Sequence, residues 1–140
     1  MEPCCDIFAK FGGDLAPFYD NNGWLVFVRP KQVTLGASVL ISRRHIESLA
    51  DLTSEELLAL GDAVKQIEAR LSKAFHFQKI NYLMLMMQDS HVHFHVIPRY
   101  SSTIEFGGIS WPDSAWPKAP DMSKVVDEPN AVHVVHEALR

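Results

Sequence analysis

The sequence predicts an α+β fold: a mainly antiparallel five-stranded sheet, one long helix against it, and smaller terminal helices. Three observations lead there. Five β-rich runs are bounded by turn residues, neighbouring runs are joined by short connections, and a single long stretch has helical periodicity behind a cap. The 140 residues suit one domain, 1–140, with its core at about 15–100 and a loop and helix at 101–140.

Taken in order, residues 5–11 fit a short amphipathic helix and Leu15 to Tyr19 reads as extended. Asp20-Asn21-Asn22-Gly23 supplies turn chemistry before the strand Trp24–Val28. A loop from Pro30 to Gly36 leads to a strand at Ser38–Ile41, giving an antiparallel meander. Thr53-Ser54-Glu55-Glu56 is a capping box, in which Thr53 accepts from the Glu56 amide and Glu56 reaches back. Behind it Leu57, Leu60, Val64, Ile67, Leu71 and Ala74 form one apolar stripe, the mark of a helix covering a sheet. Residues 82–87 are apolar at successive positions, which predicts a strand buried on both faces with its three methionines as core filling. His91–Arg99 is the fifth run. Residues 109–117, rich in Pro and Trp, read as a loop, and Asp127-Glu128-Pro129 precedes a C-terminal helix. His133 and His136 lie three apart there, a spacing that can chelate a metal and equally suits a solvated helix end.

With 47% hydrophobic and 21% charged residues the chain is globular rather than disordered. Net charge is −4 and no basic run exceeds Arg43-Arg44, so no nucleic-acid polymer is expected as partner. A small anion remains compatible, because one local site can be positive on an acidic protein. No stretch approaches the length of a membrane span, and the first residues lack a secretory pattern, so neither a membrane nor export is expected. Cys4 and Cys5 are the only cysteines and are adjacent, a spacing that suits neither an ordinary disulfide nor a metal knuckle. Two unpaired thiols fit a reducing cytoplasm.

The chemistry concentrates in the fifth run. Alternate side chains of a strand share a face, so His91, His93 and His95 line up together while Val92, Phe94 and Val96 face the core. Of seven histidines in the chain, three fall in this window, which packing alone does not require. Chance placement, a metal site and phosphate chemistry are the competing readings. Two histidines at alternate positions chelate well, but no further ligand cluster is paired with the strand. Imidazole titrates near neutrality and can serve as nucleophile, proton donor or phosphate clamp.

The pattern His91-Val-His93-Phe-His95-Val-Ile97 resembles the histidine-triad (HIT) family of nucleotidyl hydrolases and transferases. The following Pro98-Arg99-Tyr100 is similar to its hydrolase branch, which includes dinucleoside polyphosphate hydrolases and fragile-histidine-triad proteins. Residues 35–45, the capped helix start and Ile80-Asn81-Tyr82 extend the likeness over about 24–100. The resemblance implies a HIT-like fold, a homodimer, a small-molecule nucleotide as substrate and attack by His93 on its α-phosphate. The His93 ring would be held by the backbone carbonyl of His91, with His95 on phosphate oxygens. No resident metal is required on this reading, although Mg²⁺ can accompany substrate phosphates. A nucleotide-binding regulatory module with little turnover and a histidine-rich metal-binding protein are the alternative readings.

Two departures bear on the substrate. Relatives place a longer glycine-containing loop before the triad, whereas Met87-Gln88-Asp89-Ser90 connects directly here, leaving Gln88 and Ser90 as phosphate candidates. Ala37 stands where relatives often have a histidine. Arg29 occupies a strand end near the expected ribose and is a candidate phosphate ligand or a surface charge, while Asn81 and Trp116 complete the candidate binding residues. Trp111 and Trp116 could cover the site or stack on a base, or anchor the late loop.

Overall fold

A computed structural model describes residues 6–140. Cys4 and Cys5 lie outside the described residues, as does the start of the helix expected at 5–11. That helix, α1, is Ile7–Gly12, and a five-stranded sheet follows, built from β1 (Tyr19–Asp20), β2 (Trp24–Val28), β3 (Ser38–Ser42), β4 (Lys79–Leu83) and β5 (His93–Arg99). Its order is β1-β2-β3-β5-β4, with every pairing antiparallel. The long helix α2 (Ser54–Phe75) lies between β3 and β4 in sequence, β6 (Ile104–Phe106) and β7 (Ile109–Trp111) form a separate hairpin, and α3 (Ala131–Leu139) ends the chain. The α+β sheet-and-helix architecture predicted from sequence is the one observed.

The capping box forms as expected: the Glu56 amide donates to Thr53 Oγ1 at 3.1 Å and the Thr53 amide to Glu56 Oε1 at 2.9 Å. The buried stripe, however, is Ala59, Ala63, Ile67, Leu71 and Phe75. Leu57 and Leu58 face solvent, and Leu60 and Val64 are only half-buried. Small residues let the first turns approach the sheet closely; Trp24, fully buried, donates from its indole N–H to the Glu56 carbonyl at 2.9 Å. The helix therefore docks on its alanine face, a choice that hydrophobicity alone does not disclose.

Other expectations shift in extent. Of the run expected at 15–19 only Tyr19 lies in a strand, and β1 extends instead into Asp20 of the expected turn. The strand expected at 82–87 is β4, displaced to Lys79–Leu83, and it is a half-exposed sheet edge rather than an element buried on both faces. Met84 and Met86 pack against the core, but Met87 is 86% exposed. Residues 109–111 are a strand, and Trp111 is fully buried, its indole N–H bonded to the Phe106 carbonyl. Pro129 lies before the Asn130 cap instead of inside the first turn of α3.

The two sheet faces are covered differently. Trp24, Val26, Leu40 and Val96 pack with α2 and α3 in the larger core. Phe27, Val39 and Ile41 pack on the opposite side with Ile7 and Phe11 of α1. That contact is close: a Cβ at Gly12 would lie 2.7 Å from the Phe27 ring. Register places Ile41 opposite His93 and Val39 opposite His95, so the histidines share the α1 face.

Candidate active site

The three histidines are buried, at 1%, 3% and 8% exposure for His91, His93 and His95, because α1 roofs them. Phe8 meets the His91 ring edge-on at 5.5 Å, and Phe11 packs on both His93 (5.8 Å) and His95 (5.6 Å). The strand proper begins at His93; ahead of it the Val92 amide donates to the Ile46 carbonyl at 2.8 Å.

A carbonyl oxygen only accepts, so each ring nitrogen facing one must carry the proton. His93 Nδ1–H donates to the His91 carbonyl at 2.7 Å. This fixes the tautomer and leaves the lone pair on Nε2. His91 Nε2–H donates to the Ser42 carbonyl at 2.7 Å, and its ring packs edge-on against His45 at 4.9 Å. His95 Nδ1 is buried with no hydrogen-bond partner. Burial, aided by the positive charges of Arg29 and Lys10, lowers the His95 pKa to about 4, so its ring is neutral at pH 7. Burial also lowers His91.

His93 and His95 open into a cavity of about 340 Å³, at the small end of the roughly 300–1,000 Å³ usual for ligand sites. Phe11, Leu85, Met86, Met87 and Met122 give it apolar walls, while Lys10, Arg29, Lys31, Gln88 and Asp89 supply the polar groups. Lys10 Nζ lies 2.7 Å from the Asp89 carboxylate, joining α1 to the segment before the triad.

The cavity thus brings together His93, His95, Arg29 and Gln88 among the residues singled out from sequence. His91 stands behind it on Ser42 and His45. Ser90 turns to Glu47 instead (3.3 Å), and Asn81 accepts from Arg99 Nη1 at 2.8 Å. Neither Trp111 nor Trp116 lines the cavity, the first being a core side chain and the second half-buried in the turn after β7. Sequence reasoning missed Lys10, Phe11, Lys31 and Met122, since no spacing links α1 or residue 122 to the triad. It also missed Gln32, buried at 1% exposure, whose amide donates to the Arg29 and Ala37 carbonyls (both 2.7 Å) and accepts from the Gly36 amide (3.0 Å). Among the described residues, no three His, Cys, Asp or Glu side chains converge to hold a metal ion, and no helix is long and apolar enough to cross a membrane.

Comparison with known proteins agrees with this geometry. The family model for the HIT domain matches residues 15–102. The chain is 31% identical over 111 residues to Protein hit of Bacillus subtilis (strain 168), covering 74% of this chain and 77% of that protein. It is also 31% identical over 100 residues to the asymmetrical bis(5'-nucleosyl)-tetraphosphatase of Schizosaccharomyces pombe, covering 66% of this chain and only 53% of that enzyme. A crystal structure of a hypothetical histidine triad nucleotide-binding protein from Sulfolobus tokodaii superposes with a TM-score of 0.67 at 17% identity, over 96% of this chain and 89% of the other, a likeness of fold. With a family model spanning the sheet, the long helix and the histidine strand, the chain belongs to the HIT domain family.

Proposed function

We propose that this protein is a hydrolase or nucleotidyl transferase acting at the α-phosphate of a purine nucleotide conjugate, such as a dinucleoside polyphosphate. The observation that carries the reading is the 2.7 Å bond from His93 Nδ1–H to the His91 carbonyl, which leaves a nucleophilic Nε2 in a cavity of mononucleotide size. The tetraphosphatase relative supports the reaction class. In the first step the Nε2–P bond forms as the P–O or P–N bond to the leaving group breaks, and the leaving group takes up a proton. Water then attacks the nucleotidyl-His93, the N–P bond breaks, and the nucleoside monophosphate departs. Splitting one displacement into two lowers each barrier, and positioned donors stabilise the transferring phosphoryl group.

His95, neutral and with a buried unpartnered nitrogen, is suited to hydrogen-bond a phosphate oxygen. An approaching anion favours its protonated form, making it a stronger donor as charge develops. His91 positions His93 through its carbonyl, and Gln88 at the cavity mouth is a further phosphate contact. The chemistry needs no resident metal, and Mg²⁺ enters with substrate phosphates. The protein works in the cytoplasm as a homodimer on this reading.

Trapping tests it. The protein is incubated with diadenosine tetraphosphate or adenosine 5′-phosphoramidate, quenched in base and digested. An added adenylyl mass on the peptide containing residues 91–99, absent in His93→Ala, is the expected result. Tight nucleotide binding with neither adduct nor turnover would instead support a binding module and sink the hydrolase reading.

A further inference from the structure

The cavity holds more positive charge than one phosphate on His93 calls for. Three cations line it against a single carboxylate, and that carboxylate, Asp89, is paired with Lys10. Among the described residues, no ion pair involves Arg29 or Lys31. Arg29 Nε is buried without a hydrogen-bond partner, and Nη1 donates to the Lys31 carbonyl at 2.6 Å. Its backbone is fixed on both sides: the amide donates to the Ala37 carbonyl at 2.9 Å, and the carbonyl accepts from Gln32. Partly burying an unpaired guanidinium is costly, and burial lowers its pKa, so the position is favoured when an anion supplies the missing acceptors.

We propose that the Arg29–Lys31 corner is a second-anion subsite, so that the preferred substrate carries a further phosphate beyond the one attacked by His93. The planar guanidinium can donate to a phosphate from its free edge, and Lys31 adds charge from the exposed side. Together they take over the phosphate-holding task that the short Met87–Ser90 connection leaves unfilled, since of its side chains in the cavity Met87 is apolar, Asp89 is an anion paired with Lys10, and Gln88 alone is a neutral hydrogen-bond donor. The second phosphate belongs either to the chain that continues from the α-phosphate or to the ribose. This inference rests on the nucleotide reading above and narrows it to polyanionic substrates over single-phosphate conjugates.

Calorimetric titration of the full chain at pH 7 with AMP, ADP, adenosine 3′,5′-bisphosphate, inorganic phosphate and pyrophosphate tests it. We expect at least one two-phosphate nucleotide to bind about tenfold or more tightly than AMP, the scale of one or two charge-assisted hydrogen bonds. A preference for ADP alone identifies the phosphate chain, and for the bisphosphate alone the ribose. The preference should shrink to within about threefold in Arg29→Gln, return in part in Arg29→Lys, and persist in Lys73→Gln, a control on the exposed side of α2. Lys31→Gln, at an exposed position, should lose part of it and covers the case of a poorly folded Arg29 variant. Equal binding of AMP and both two-phosphate nucleotides by the wild type overturns the subsite, as does a preference that survives in Arg29→Gln and Lys31→Gln. If no nucleotide binds, the nucleotide reading fails. The inorganic arm then decides separately: a pyrophosphate preference lost in Arg29→Gln upholds the subsite, and its absence overturns it.

Discussion

Replacing His95 by Asn should flatten the acid side of the stability profile. In the folded chain burial and the nearby positive charges hold His95 at about 4, against 6.5 for an ordinary histidine. The unfolded chain therefore binds a proton at this residue over a pH range where the folded chain does not, and stability falls as the pH drops below 6.5. The loss levels off below about 4, where both states are protonated. For a single group with these two values, linkage gives a loss of about 2.4 kcal/mol between pH 7 and pH 4.5. Urea denaturation of wild type and His95→Asn at both pH values isolates this contribution, because carboxylates and His91 contribute alike to both proteins. Wild type should lose about 2 kcal/mol more than the variant. Equal losses, or an NMR titration of the His95 ring with a midpoint near 6 or above, would refute the reasoning. The same linkage reaches function: binding a phosphate should drive proton uptake near pH 6, seen as a binding enthalpy that depends on the ionisation enthalpy of the buffer.

Three further changes probe the scaffold. Thr53→Ala removes the acceptor for the Glu56 amide and should cost about 1 kcal/mol in urea denaturation. Asp113→Ala strips the buried Arg99 guanidinium of two bonds (2.8 and 3.1 Å) and should cost about 3–5 kcal/mol, whereas an apolar pair at both positions should recover most of the loss. Gly36→Ala forces a side chain into φ +89°, with its Cβ 3.0 Å from Leu71 and Phe75. It should lower stability by about 1–3 kcal/mol through backbone strain alone, measured by thermal denaturation.

Much of this molecule was legible in its sequence because the relevant signals are local. Alternation put three histidines on one face of a strand, and a four-residue motif gave the start of α2; both depend only on the geometry of a few consecutive residues. The histidine pattern also carried the family likeness, and with it the proposal of His93 as nucleophile. Local periodicity says which side chains share a face, but not what covers that face. Nothing in residues 7–12 announces that Phe11 will roof His93 and His95, or that Lys10 will reach Asp89. The apolar run at 82–87 looked interior, yet β4 lies at the sheet edge, so Met87 became a cavity wall. Likewise α2 settled on its alanines because close approach to Trp24 outweighed burial of Leu57 and Leu58. Sequence determined the histidine strand and the family to which it belongs. Tertiary packing decided the charge state of His95, the company of Arg29 and the walls of the cavity, because desolvation and Coulomb interaction depend on distances between segments far apart in the chain.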